Sequence, residues 1–547
     1  MMDVMLRIYG KMLGPMLVAL LLPCMAVTVF AADIAGSKPN IVLVLVDDLG
    51  FSDLGCYGGD IDTPVLDELA ESGLRFSRFT NSAKCTTSRY SLLSGQYHGT
   101  GYPKMKRSTT LAEPLKKAGY ATWAIGKWDT HKTTPLDFGF EKFFGFVNGS
   151  SDYVAGNPKW LLNENRFTDF GKDASEFYAT KDLTDFLIQL LKKKEETKDK
   201  RPFFMYASYN APHGPLQAEE DLMRKYRGHY MKGWETLREE RFKRQKALGM
   251  FDESIKLPEW QSNHRKWEGL TDNEKSWEDY RMAIYAAMVE SIDRNLGRLK
   301  QELMRTGQWE NTLFLFMSDN GANPMERSGR GHMLPWKPKC GMSQGTEWAA
   351  VSNTPFRWYK QNNFMGGVAT PFIVHWPAGL KAKQWDNTPS HVVDIMPTLL
   401  EISGGEYPKT MRGEKMGEMD GISLAPLLAG QKVERVDPIF YSYVGNNGLW
   451  NGRYKLVSNR GGPWMLFDMD KDPVENDDIA ASHPEIVKTM SEEWYKIGNA
   501  NVVHKDSRAP RKETSDPWGG KKGKKKRDEQ HPSWGGGKKP PLPLPNE

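Results

Sequence analysis

The chain has 547 residues, of which 39% are hydrophobic and 26% charged, with a formal net charge of +5. This is ordinary globular composition, long enough for a large buried core, and it excludes a chain that is disordered throughout. The positive excess is local: from Asp506 onward eleven Lys and Arg outnumber six Asp and Glu, so the remainder is near neutral and is not built to hold nucleic acid.

Residues 1–32 read as a secretory leader. Arg7 and Lys11 precede an apolar run from Met16 to Phe30, and Ala31-Ala32 supplies the small residues of a cleavage site. The run also approaches the length of a single membrane anchor. As a leader it predicts an exported protein, periplasmic or secreted. Cys24 would leave with it. Cys56, Cys85 and Cys340 then remain, too few and too odd in number for a disulfide framework. Spacing leaves open whether Cys56 and Cys340 bond.

Residues 37–436 read as one α/β catalytic domain. Residues 41–46 are an unbroken β-branched and leucine run, as in a strand buried on both faces. Thr63-Pro64 opens a helix, and Gly73 follows its end. Cys85 begins a short helix that stops before Gly95. Thr110-Leu111-Ala112-Glu113 resembles a capping box, with Gly119 closing that helix. Strands follow at 120–125 and 202–209. Residues 220–280, rich in Arg, Lys, Glu and Trp, break the alternation and read as an insertion over the core. Tyr285, Met288, Ile292, Leu296, Leu299 and Leu303 fall at helical spacing. Residues 312–317 and 371–376 are further strands. The alternation predicts a large mixed, mostly parallel sheet sandwiched by helices.

From residue 437 to 505 the texture changes to short strands at 439–444, 453–458 and 464–468, then a helix over 484–497. That pattern predicts a small antiparallel-sheet subdomain. Residues 506–547, with Lys521-Lys522-Gly523-Lys524-Lys525-Lys526-Arg527 and a proline-rich end, cannot bury a core and read as a disordered basic tail. Such a tail suits contact with an anionic polymer or cell surface.

In an open α/β sheet, ligands bind beyond the carboxyl ends of the strands. The first predicted strand is followed by Asp47-Asp48. The strand at 120–125 is followed by Gly126-Lys127-Trp128-Asp129, that at 202–209 by Asn210-Ala211-Pro212-His213, and that at 312–317 by Ser318-Asp319-Asn320-Gly321. Ionisable and metal-binding groups therefore gather on one rim. Asp47, Asp48, Asp319 and Asn320 offer only oxygen, a set that favours Ca²⁺ or Mg²⁺ over Zn²⁺. Arg89, Lys127 and Lys360 are cations suited to an anion, and a helix opening at Cys85 adds free N–H groups.

These segments resemble type I sulfatases of the alkaline-phosphatase-like superfamily, bacterial arylsulfatase-like branch. The resemblance runs from Pro39 to Asp478. It rests on Asp47-Asp48, Lys84-Cys85-Thr86-Thr87-Ser88-Arg89, Gly126-Lys127-Trp128, Asn210-Ala211-Pro212-His213, Ser318-Asp319-Asn320-Gly321, Lys360 before Gly366-Gly367 and Pro371–Pro377, and for the branch on Gly233–Leu248. It implies that Asp47, Asp48, Asp319 and Asn320 bind Ca²⁺. It implies that a formylglycine-generating enzyme converts Cys85 to formylglycine, whose hydrate attacks sulfur. Arg89, Lys127 and Lys360 would then stabilise the sulfuryl oxygens, and His213 would protonate the leaving alcohol. The implied substrate is a sulfated carbohydrate or an aryl sulfate.

Three positions depart from the family pattern. Thr87 stands where the maturation motif has Pro or Ala. Asp129 stands where the family has His, which makes Asp129 a further catalytic candidate, with His131 close by in sequence. Met365 replaces an acidic residue before the glycine pair. Two other functions fit parts of this pattern: a phosphate or phosphonate ester hydrolase of the same superfamily, and a catalytically silent binder of sulfated glycans. Trp160, Trp267 and Trp336 lie in segments that read as loops and could stack on a sugar face, but burial is the more common place for a tryptophan.

Overall fold

The unbroken apolar run after Asn40 becomes the middle strand of a wide sheet, because both of its faces have partners to cover them. The computed structural model describes residues 34–98, 105, 107–130, 133–326, 334–381 and 384–500. The predicted leader, the basic tail and His131 lie outside the described residues.

In chain order the strands are β1 (Asn40–Asp47), β2 (Leu74–Phe76), β3 (Phe79–Thr80), β4 (Ala121–Lys127), β5 (Lys142–Phe146), β6 (Trp160–Leu162), β7 (Asn165–Arg166), β8 (Phe203–Pro212), β9 (Thr312–Ser318), β10 (Phe372–His375) and β11 (Gln384–Asp386). Among the described residues, ten of these form one sheet in the order β11-β2-β10-β9-β1-β8-β4-β5-β6-β7. The block β9-β1-β8-β4-β5 is parallel throughout, while β10, β6 and β7 join antiparallel. The remaining short strand β3 pairs with β12 (Ser390–His391).

The pleat divides β1 between two cores. Val42, Val44 and Val46 face one side, with Leu183 and Leu187 of α4 (Ala179–Glu196) and Met288, Ile292 and Leu299 of α7 (Asp272–Arg305). Ile41, Leu43 and Leu45 face the other, with Leu92 and Leu93 of α2 (Cys85–Ser94), Leu115 of α3 (Ala112–Lys117) and Leu399 of α10 (Ile395–Ser403). A sheet covered on both faces needs runs such as residues 41–46 rather than alternating ones. Helix α1 (Pro64–Ser72) opens with its proline inside the first turn, as predicted.

The insertion is smaller than the sequence implies. Thr271 and Glu274 form a capping box that starts α7 at Asp272, so residues 272–280 belong to that long helix. What remains carries α5 (Glu220–Tyr226) and α6 (Trp234–Ala247). At Thr110 only half of the predicted box forms. Glu113 accepts the Thr110 N–H at 3.0 Å, but the Thr110 hydroxyl donates to the Phe138 carbonyl instead.

Beyond a hairpin of β13 (Thr410–Met411) and β14 (Glu414–Lys415), the C-terminal sheet runs β15 (Ile439–Tyr443), β16 (Asn446–Asn451), β17 (Tyr454–Ser458) and β18 (Trp464–Asp468), all antiparallel. Strand β16 begins Asn446-Asn447-Gly448, which reads locally as a turn. The ladders to β15 and β17 override that preference. Phe440, Leu449, Leu456 and Leu466 pack on Met490 and Trp494 of α11 (Pro484–Ala500), while Tyr441, Trp450, Val457 and Phe467 enter the main core. The sheet is therefore welded to the body on one face.

The tryptophans proposed to stack on sugar do not face solvent. Trp160 is fully buried among Phe144, Phe146, Phe170 and Phe177, and Trp267 and Trp336 are buried as well. Cys56 and Cys340 are free thiols, so no disulfide joins them.

Strand β4 leaves no room for a side chain at Gly126, where it pairs with Ser208 of β8. Gly126 has φ +80°, and a Cβ there would sit 1.9 Å from the Ser208 carbonyl oxygen. We expect Gly126→Ala to cost at least about 2 kcal/mol through left-handed strain and backbone clash together. Urea unfolding measures it; a loss under about 0.5 kcal/mol, the size of an ordinary surface substitution, would contradict this reading.

Candidate active site

Four parallel strands deliver their ends to one rim. β1 ends at Asp47 with Asp48 next, β4 at Lys127, β8 just before His213, and β9 just before Asp319 and Asn320. Val46 pairs with Ser318 and Asp47 with Pro212, so these ends lie side by side. Helix α2 points its first turn, with Cys85, at the same place. Lys360 arrives on the segment between α8 (Thr346–Ser352) and α9 (Met365–Val368).

Asp47, Asp48, Asp319, Asn320, Cys85, Arg89, Lys127 and Lys360 are all buried, and His213 is part-buried. Ligand atoms of Asp47, Asp48, Cys85 and His213 lie within 4.8 Å of one another. Three carboxylates meet three cations. Lys127 Nζ is 2.7 Å from Asp47 Oδ2, and Arg89 reaches Asp319 Oδ2 at 2.7 Å and 2.9 Å. The Lys360 ammonium sits on Asp48 Oδ1. His213 Nε2 stands 3.5 Å from Asp48 Oδ2, and its Nδ1 faces the Gly214 carbonyl at 2.6 Å. All ten residues expected at the site are thus on or beside the rim.

The electrostatics follow from burial against these neighbours. Burial alone would raise Asp48, but Lys360 and His213 outweigh it and hold the carboxyl well below the usual range. Burial and nearby Asp47 push Asp319 up to about 6, with Arg89 only partly offsetting them. Burial drives His213 down to about 3 despite the pull of Asp48. Burial also raises the Cys85 thiol, although Lys127 and Lys360 oppose it. A thiol so placed is not an activated nucleophile.

Asp129, in the left-handed region at φ 43°, lies 3.6 Å from Lys127 Nζ and accepts from the Thr86 hydroxyl at 3.2 Å. Burial would raise its carboxyl, but Lys127, Lys84 and Arg89 together lower it, so it is ionised at neutral pH. Thr87, the departure in the maturation motif, keeps its hydroxyl within hydrogen-bond reach of two carbonyls, those of Ser82 and Lys84, at 2.8 Å each.

The donor set fits a hard cation. Asp47 Oδ1 and Asn320 Oδ1 are buried oxygens without a hydrogen-bond partner among the described residues. Buried oxygens left unsatisfied are costly, and a cation shared with Asp48 and Asp319 would satisfy them.

Four groups at the site escaped the sequence reading. Asn323 Nδ2 donates to Asp48 Oδ2 at 2.8 Å. Its place three residues after Asn320 was the available clue. Ser208 holds Arg89 and donates to the Lys127 carbonyl at 2.7 Å. Lys84 Nζ lies 3.4 Å from Cys85 Sγ, and adjacency alone could have flagged it. Tyr443, at the end of β15, has Lys84, Cys85, Lys360 and Asp129 as electrostatic neighbours, though burial is what chiefly raises its phenol. Nothing local marks that residue.

The insertion braces this rim from beneath. Arg241 of α6 is fully buried and pairs with Asp53 at 2.8 Å and Asp60 at 2.6 Å. Asp53 in turn accepts from Gly50 N and from the Tyr285 hydroxyl, whose oxygen also lies 3.3 Å from the Asp48 carbonyl. Asp48 has φ 66°, a strained value for a non-glycine residue, and such strain persists only where surroundings fix it.

Comparison with known proteins bears on all of this. A family model described as Sulfatase matches residues 39–405, and one described as N-sulphoglucosamine sulphohydrolase, C-terminal, matches residues 355–499. An arylsulfatase of Klebsiella aerogenes is 30% identical over 430 residues, covering 71% of this chain and 92% of that protein. Among solved structures, Ps i-CgsB in complex with k-i-k-neocarrahexaose superposes with a TM-score of 0.63 at 23% identity, covering 91% of this chain and 98% of the other. A protein in complex with its substrate D-glucosamine-2-N,6-O-disulfate superposes with a TM-score of 0.58 at 22% identity, covering 86% and 99%. Those two likenesses speak to fold.

Removing Arg241 leaves Asp53 buried without its cation. We expect Arg241→Leu to lose about 3–5 kcal/mol in chemical unfolding, the cost of breaking a buried pair. A loss below about 1 kcal/mol would mean that α6 does not brace the Asp48 turn.

Proposed function

The chain belongs to the sulfatase family and is a sulfuric ester hydrolase, and from that premise we propose an exported, calcium-dependent enzyme that acts on a sulfated carbohydrate through a formylglycine made from Cys85. Small aryl sulfates would serve as surrogate substrates, in keeping with the Klebsiella relative's name. The observation that carries the reading is the buried meeting of Asp47, Asp48, Asp319 and Asn320 with Cys85 at the start of α2.

Asp47, Asp48, Asp319 and Asn320 would hold the Ca²⁺, which supplies Lewis-acid stabilisation of sulfuryl oxygens. A formylglycine-generating enzyme would convert Cys85 to the aldehyde whose hydrate is the nucleophile. The raised thiol of unmodified Cys85 supports conversion rather than direct thiolate attack.

The chain's own residues take the other roles. The site's four carboxylates, Asp129 included, and four cations, Lys84 included, balance, so bound Ca²⁺ would leave net positive charge for an anionic ester. Lys127 and Lys360 face the ester as point charges, and Arg89, anchored on Asp319, fixes the geometry of the first helical turn. His213, with Nδ1 held by the Gly214 carbonyl, directs Nε2 into the site and would protonate the leaving alcohol. Binding of the anionic ester raises that imidazole's proton affinity. Asp129, ionised and held by Thr86, would act as the base in place of the family's histidine. The substrate class is supported by the glucosamine disulfate and neocarrahexaose bound to proteins of the same fold. Export rests on the leader at 1–32, and contact of the tail at 506–547 with an anionic polymer or surface rests on its Lys and Arg content.

Initial rates on 4-nitrophenyl sulfate and 4-nitrophenyl phosphate test the reading. We expect sulfate turnover to dominate, to vanish on chelation and to return with Ca²⁺. Dominant phosphate turnover would favour the phosphate or phosphonate ester reading. Asp129→Asn should lower kcat by about 10²–10⁴-fold, the usual worth of a general base, with Ca²⁺ affinity unchanged. An unchanged kcat would remove Asp129 from the mechanism.

A further inference from the structure

Lys360 sits on a segment that the chain cannot hold by itself. Trp358 and Gln361, on either side, have φ 65° and 72°, left-handed values that cost a non-glycine residue conformational energy. The segment touches the rest of the rim through two backbone bonds, Lys360 N–H to the Ala322 carbonyl at 3.1 Å and Gln361 N–H to the Ala83 carbonyl at 2.7 Å. Asn353 Nδ2 also donates to the Trp358 carbonyl at 3.2 Å and Tyr359 stacks on His264, and a further set of ties comes from the C-terminal sheet and the loop after it.

The grip centres on one buried ion pair. Lys455 of β17 and Glu475, both fully buried, meet at 2.6 Å. Glu475 Oε2 accepts the Met365 N–H at 2.7 Å, and its own carbonyl accepts from Arg357 at 2.9 Å. Lys455 Nζ also donates to the Asn363 carbonyl at 3.0 Å. Three points on the segment, at 357, 363 and 365, are therefore tied to two residues. Asn446 Nδ2 adds a fourth, donating to the Gln361 carbonyl at 2.7 Å. Glu475 is itself left-handed at φ 59°, so its backbone too is set by what it holds.

We propose that Lys455 and Glu475 are positioning residues through which the C-terminal sheet sets the Lys360 ammonium against Asp48. A buried pair with further backbone bonds suits this task, because removing one partner strands the other and releases the segment. The inference rests on the sulfatase reading only in that Lys360 contributes to turnover.

The test uses the full chain, matured as for the parent, at a temperature where each variant is folded. Glu475→Gln should speed amide hydrogen exchange over residues 357–365, with exchange in β1 and β9 unchanged. It should lower kcat on 4-nitrophenyl sulfate on the order of 10–100-fold, as a misplacement near 1 Å does, with a smaller change in KM. In a Lys360→Ala background the same substitution should change kcat by less than about twofold, because the two residues act as one unit. Unchanged exchange over 357–365, or a full extra loss on top of Lys360→Ala, would overturn the proposal. If Glu475→Gln does not fold, Asn446→Ala loosens the same segment more gently and is judged by the same two readouts. No turnover by the parent would defeat the hydrolase reading, whereas the exchange result decides the clamp independently.

Discussion

Six opposite charges packed without exposure are the constraint on which this molecule turns. Asp47, Asp48 and Asp319 cannot stay buried and ionised unless Arg89, Lys127 and Lys360 stand beside them. Each partner comes from a different part of the chain. The wide parallel sheet makes this possible: its strands end in register and place groups far apart in sequence on one edge. Such a centre is poor at stabilising a fold and good at holding a fixed electrostatic field for an anion.

The cost of that arrangement appears in the backbone. Asp48, Asp129, Trp358 and Gln361 all occupy the left-handed region without being glycine. Thr86 and Lys127 hold Asp129, while the parts that look like additions in the sequence brace the Asp48 turn and the segment of Trp358 and Gln361. Helix α6 reaches the Asp48 turn through Arg241, and the C-terminal sheet reaches the Lys360 segment through Glu475. Neither brace touches the reacting centre, yet each fixes one side of it.

The central strands and the rim were legible because their signals are local. A strand buried on both faces must be apolar throughout, and the polar residues that end it stand out, as at Asp47-Asp48 and Asp319-Asn320. The braces were not legible. Arg241 lies in a helix crowded with charge, and Glu475 lies in an acidic loop; a long-range ion pair leaves no period. Strand β16 was hidden because Asn446-Asn447-Gly448 has turn preferences that its two neighbours overrule. At Trp160 the surrounding residues read as loop and left a sugar-stacking role open, whereas five aromatic neighbours close it in, the commoner fate of a tryptophan.

Hydrolysis by this route depends most directly on what Cys85 becomes. Its buried, unactivated thiol has a place at the helix start but no means of fast release, which the aldehyde hydrate would supply. The decisive measurement is the mass of the peptide containing Cys85, from protein produced together with a formylglycine-generating enzyme. Loss of the sulfur and gain of an aldehyde is the result this account requires. An intact cysteine in that peptide would contradict it, and with it the assigned route of hydrolysis.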